Sequence, residues 1–157
     1  MQNIRIDLPA AVREKVATLL NARLADALDL KLQAKQAHWN VKGPSFIALH
    51  ELFDAIAGRI DGQADDMAER ITALGGVAEG TLQAVAGRST LPTYPVGPAD
   101  HVARLADALA AYGKAVRAAI AEADALGDAG AADLFTGISR AVDKDLWFVE
   151  AHLEQGR

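Results

Sequence analysis

SFIALHELFDAIAGRIDGQADDMAERITALGG, residues 45–76, decides the fold. On a helical wheel Leu49, Leu52, Phe53, Ile56, Ile60, Met67, Ile71 and Leu74 make one broad apolar stripe, the mark of a core-facing helix. Ser45 stands where an N-cap belongs, and Gly75-Gly76 where a helix stops. A second stripe lies beside the first: His50, Asp54, Ala57, Gly58, Asp61, Ala64, Asp65, Ala68 and Glu69. Glu51, Arg59, Asp66 and Arg70 fall further round and read as the solvated face. Acids and a histidine mixed with alanine and glycine have the composition of a close helix–helix contact. Carboxylates buried there need partners, and metal ions are among the strongest.

Upstream, Val12, Val16, Leu19, Leu20, Leu24, Ala27, Leu28 and Leu32 recur at helical spacing. They predict a helix from about Pro9, a good first-turn residue, to Trp39, ahead of Gly43-Pro44. Downstream, Gly87 to Pro98 holds three prolines and two glycines, although Thr81 to Ala86 suits a short helix. Further helices fit about 99–125 and 131–153, broken by Gly127 and Gly130. Four long helices joined by two short connections and one long crossover, between helices two and three, describe an all-α bundle of ferritin-like topology. The whole chain, 1–157, reads as a single domain; a metal-free four-helix bundle is the alternative.

Composition agrees. Hydrophobic residues, many of them alanine, make up 51% and aromatics only 5%, which favours helix. Without cysteine there is neither a disulfide framework nor a thiolate metal site. No apolar run is long enough for a bilayer and MQNIRIDLPAAVREK lacks a signal peptide's apolar stretch, so a cytoplasmic protein is expected. A net charge of −5 suits cations better than nucleic acid.

His50–Asp54 and Asp65–Glu69 are each four apart, so each pair projects from one helix face. Alone, the first pair reads more simply as a surface or N-terminal-turn hydrogen bond and the second as a solvated acidic patch. His50 and Asp65 stand about 22 Å apart along a straight helix, too far for one ion in one chain. A second copy packed antiparallel on the same stripe, about a twofold axis between Arg59 and Ile60, removes the difficulty. His50 then faces the partner subunit's Glu69, and Asp54 faces the partner subunit's Asp65, giving two identical sites. Ala57, Gly58, Gly62 and Ala64 near the axis allow close approach. His38 ends the first helix, either as a histidine favoured by the macrodipole or as a third ligand beside His50 and Asp54. Imidazole with carboxylates suits iron.

KQAHWN (35–40), HELFD (50–54), DDMAER (65–70), LGG (74–76) and DKDLWFVE (143–150) resemble the Dps miniferritins, the DNA-protection-during-starvation family, from about Leu19 to Glu154. The resemblance implies a hollow homododecamer whose ferroxidase centres bridge twofold-related subunits. One subunit supplies His38, His50 and Asp54, and the partner subunit's Asp65 and Glu69 complete each centre. It implies oxidation of Fe²⁺, with hydrogen peroxide in preference to oxygen, and storage of a ferric mineral. It places Trp39 and Trp147 near the centre, to shield it or donate electrons, where plain aromatic packing is the alternative. It makes Asp128 and Asp133 candidates for an iron-entry pore; otherwise they complement a helix dipole. Gly137 stands where some members have another aspartate. No Glu-x-x-His occurs, so a di-iron site inside one bundle is not expected.

Arg70 and Asp143 are candidates for an ion pair, and His101 and His152 read as structural or surface residues. Many Dps members bind DNA through a lysine-rich tail. Here Arg5 is the only basic residue before the first helix and the chain ends EQGR, so DNA binding and association with the nucleoid form the weaker alternative to iron storage.

Overall fold

The computed structural model describes residues 1–153; EQGR, 154–157, which entered the expectation about DNA, lies outside the described residues. The elements are α1 (Ala10–Asn40), α2 (Phe46–Ala73), α3 (Leu82–Arg88), α4 (His101–Ala125) and α5 (Ala129–Glu150). α1 packs along α2, and α4 along α5; α1 also contacts α4 and α3, while α2 and α5 meet over a shorter length. The core is one cluster in which Tyr112, Phe53, Phe135, Leu20 and Leu30 are fully buried. Among the described residues no helix is long and apolar enough to cross a membrane.

The helix ends follow local chemistry. Asp100 and Asp128 cap α4 and α5, accepting the amides of Ala103 at 3.0 Å and Ala131 at 2.9 Å. These caps start α4 two residues later than the sequence suggests and α5 two residues earlier. α2 ends in a Schellman motif: Gly76 N donates to Ile71 O and Gly75 N to Thr72 O, with Gly75 at φ +84°. Gly75 is required for space as well, since an added Cβ would lie 3.0 Å from Gln2 O and 3.1 Å from the Arg13 guanidinium. Ser45 occupies the N-cap position of α2 but makes no side-chain cap bond.

The crossover from 75 to 100 is tied to α1 by a row of polar side chains. Arg13 donates to Leu74 O at 2.8 Å, and Asn21 donates to Val77 O and accepts from Glu79 N. Asp26, fully buried, takes both the amide (2.8 Å) and the hydroxyl (3.1 Å) of Thr90, and also pairs with Arg23 at 2.8 Å. Asp29 accepts from Ser89, and Gln33 donates to Pro92 O. Crossover carbonyls and amides that lack a ladder find partners on α1.

Two sequence-based expectations are corrected. Arg70 pairs with Asp128 at 2.7 Å, not with Asp143, which pairs with Arg117 at 2.7 Å. Arg70 lies in the last turn of α2, opposite the start of α5, and Asp143 stands about 22 Å further along that helix. Arg59, expected on the solvated face, reaches the buried Asp145 of α5 at 2.6 Å. The α2–α5 seam is thus bridged by charge as well as by apolar contact.

Replacing Asp26 with alanine should destabilise the fold by about 2–4 kcal/mol, because Arg23 and the Thr90 amide both lose a buried acceptor. Urea unfolding at matched protein concentration measures it; a loss under 1 kcal/mol would show that the crossover does not depend on this carboxylate.

Candidate metal centre

α1 and α2 form an antiparallel hairpin about the turn at Gly43, φ +107°. The tight turn fixes the register, so His38, one turn from the end of α1, lies against His50, one turn into α2. Their rings stack, with centroids 3.7 Å apart and planes at 23°. The hydrogen bonds are reciprocal: His50 Nδ1 donates to His38 O at 2.9 Å, and His38 Nδ1 donates to His50 O at 2.7 Å. A carbonyl only accepts, so both nitrogens must carry hydrogen. His38 O is one of the last carbonyls of α1, which have no partner within the helix, and His50 satisfies it. The clasp therefore closes a helix end and fixes both tautomers together. In the neutral ring the lone pair is left on Nε2, and among the described residues neither Nε2 is engaged in a hydrogen bond. That is the state in which imidazole binds a metal. Phe46 packs at a tilt on His50, centroids 5.1 Å apart.

Asp54 is one turn beyond His50. Its carboxylate accepts from Lys35 Nζ at 2.6 Å. That hydrogen bond holds the carboxyl below its ordinary range against a partial opposing effect of burial, with further help from the charges of Lys35, His38 and His50. Along the same flank Lys31, one turn before Lys35 on α1, meets Asp61, two turns beyond Asp54 on α2, also at 2.6 Å. The sequence held the signal for both lysines. Folding the hairpin at Gly43 sets Lys35 opposite Asp54 and Lys31 opposite Asp61, and Lys31, Lys35 and His38 share one stripe of α1.

Asp65 and Glu69 are exposed on the outer surface of α2, several turns from the histidines. Among the described residues no three His, Cys, Asp or Glu side chains of one chain gather as a metal site. A shallow groove of about 430 Å³, lined by Leu24, Leu28, Asp61, Gly62, Asp65 and Ala68, runs between α1 and α2. Leu32, Trp39 and Ile47 are large apolar residues left exposed on α1 and the start of α2. Trp39 sits beside His38 with its ring 5.6 Å from Lys35 Nζ; Trp147, on α5, is equally exposed. Asp128 is buried, its oxygens taken by Arg70 and by the α5 cap, so it has nothing to offer a pore; Asp133 is exposed. His101 is buried, its Nδ1 2.9 Å from the Tyr94 hydroxyl, and burial lowers its pKa; His152 is half-buried.

Residues 17–157 match the ferritin-like domain family. The chain is 44% identical over 152 residues to a DNA protection during starvation protein of Agrobacterium fabrum, covering 95% of this chain and 94% of that one. Among solved structures it is similar to DpsC from Streptomyces coelicolor, with TM-score 0.93, 33% identity and 97% and 91% of the two chains covered. Mycobacterium smegmatis Dps is similar too, with TM-score 0.92, 35% identity and 98% and 90% covered.

Without His50 the His38 carbonyl loses its donor and the ring its stacking partner. His50→Ala should therefore speed hydrogen exchange at the α1–α2 turn by about tenfold, as expected from losing roughly one hydrogen bond's worth of local stability. Exchange mass spectrometry of peptides spanning 36–46 in metal-free protein reads this. Unchanged exchange would mean that the clasp holds nothing in place.

Proposed function

Since the chain belongs to the Dps family of ferritin-like miniferritins, we propose that it takes up Fe²⁺, oxidises it at centres shared between twofold-related copies, and stores the ferric product inside a twelve-subunit shell. The observation that carries this is the histidine clasp. Two imidazoles on the outer flank of a hairpin hold their Nδ1 hydrogens on carbonyls and leave their Nε2 lone pairs unused. Closing the end of α1 accounts for the Nδ1 bonds, but it makes no use of the two Nε2 lone pairs, which are what a metal would take.

His38, His50 and Asp54 form one half-site and the partner subunit's Asp65 and Glu69 the other. Support comes from the outer face of α2, where Gly58 and Gly62 meet nothing on their open side and the α1–α2 groove lies beside them. A second copy laid antiparallel on this face covers the exposed Leu32 and Ile47 as well. The donor set of two imidazoles and three carboxylates suits Fe²⁺ and favours the ferric product, for which hard oxygen ligands have the greater preference. Hydrogen peroxide is the favoured oxidant. It takes one electron from each of two ferrous ions, its O–O bond breaks, and with two protons two waters leave, so no hydroxyl radical is released. Trp39, exposed next to His38, would shield the centre, and Asp133 remains as a pore candidate. The relatives' name speaks of DNA protection. With a net charge of −5 the chain gains nothing electrostatically from phosphate, so we read that protection as iron chemistry rather than coating.

Static light scattering should give a particle of twelve times 16.5 kDa; a stable monomer or a 24-subunit particle would rule the shell out. Two double variants test the sharing. His50→Ala with Asp54→Ala, and Asp65→Ala with Glu69→Ala, should each abolish rapid ferroxidation. Reassembled together at equal amounts they should recover about a quarter of wild-type activity, since half the dimers are mixed and each mixed dimer has one intact site of two. Mixed shells that form but stay inactive would show that the ligands are not shared across the axis.

A further inference from the structure

We propose that Lys35 is an exchangeable counter-ion of the half-site, occupying Asp54 until a divalent cation displaces it. The inference rests on the metal centre proposed above and concerns a residue outside its ligand set. Lys35 Nζ lies 2.6 Å from Asp54 Oδ1 and 5.6 Å from the Trp39 ring. The ammonium thus has a strong partner on one side and an aromatic face on the other. Its stem is largely covered, with 27% of the side chain exposed, while Asp54 is 56% exposed and open to a cation arriving from outside.

A counter-ion is needed because of the twofold arrangement. It brings Asp54 against the partner subunit's Asp65, with the partner subunit's Glu69 close by. Before a metal arrives, such carboxylates repel one another across the interface. Lys35 neutralises one of them and holds its oxygen in position. The ammonium and the incoming cation compete for the same carboxylate, so binding breaks the pair and leaves Lys35 over Trp39, where a cation–π contact lowers the cost of release. Lys31 supplies an internal comparison: it carries the same charge on the same flank and pairs at the same 2.6 Å, but with Asp61, which is no ligand.

The pair exists only in the metal-free state, which fixes the sign of its effect. Removing it should destabilise that state and tighten metal binding by the same factor. The probe is Zn²⁺, which is redox-silent, titrated calorimetrically into assembled protein. Lys35→Met and Lys35→Gln should each bind about two- to fivefold more tightly than wild type, the range that an exposed ion pair covers. Lys35→Arg and Lys31→Met should stay near wild type. The melting temperature of Lys35→Met should be lower than wild type without metal and equal to it at saturating Zn²⁺. Unchanged or weaker binding in both Lys35→Met and Lys35→Gln, or an equal gain in Lys31→Met, overturns the counter-ion role while leaving the metal centre standing. Wild-type Zn²⁺ binding that survives His50→Ala removes the centre itself, and the counter-ion with it.

Discussion

A crossover of some twenty-five residues with only one short helix has to find partners for its backbone polar groups, and α1 is the element that provides them. Unpaired amides and carbonyls buried against a bundle cost as much as lost hydrogen bonds. Arg13, Asn21, Asp26, Asp29 and Gln33 meet that demand along α1, from Leu74 and Val77 through the Ser89–Thr90 pair to Pro92. The row fixes where the crossover runs and so where α4 begins. It also explains why α1, unlike α2, shows no clean apolar stripe. Packed by α2 on one side, α4 on another and the crossover on a third, it buries polar residues beside leucines and alanines. The chain ordering that makes this a ferritin-like bundle rather than an up-and-down one is carried by these side chains more than by the crossover's own sequence.

That division sets what can be read from sequence. α2 is legible because one face meets the core and the other meets solvent or a partner, so its composition splits cleanly. α1 is located correctly by Val16, Leu20 and Leu24, but Asp26 cannot be recognised as buried, since Thr90, which covers it from the crossover, stands more than sixty residues away and Arg23 alone reads as a surface pair. Ion pairs fare worst. Arg70 with Asp143 is a sound guess from charge alone, yet the lever arm of a 28-residue helix puts Arg70 at the end of the bundle where Asp128 caps α5. Asp128 itself illustrates a related difficulty. An aspartate at a helix start reads equally as a cap or as a pore lining, and only its burial separates the two. The candidate ligands were legible because spacing four apart on one stripe is a local property; their tautomers were not, because those depend on two carbonyls contributed by the opposite helix.

The two halves of the proposed centre differ in rigidity, and the difference suits its chemistry. The histidines are held by two hydrogen bonds and a stack, so little rotamer freedom remains to be lost when a metal binds. Asp65 and Glu69 are exposed side chains on a helix surface, and among the described residues neither makes an ion pair. Fe²⁺ becoming Fe³⁺ shrinks, gains charge and shifts its preference from nitrogen toward oxygen. A centre in which every ligand was fixed would fit one oxidation state and oppose the other. In the proposed centre the fixed imidazoles would define where iron sits, and the exposed carboxylates would be free to follow the change in charge and then let the ferric ion go. A ferroxidase of the kind proposed, whose product would leave for a mineral, has reason to keep its oxygen ligands loose. Supplying them from a second subunit, as proposed, would achieve this without loosening the bundle that holds the histidines.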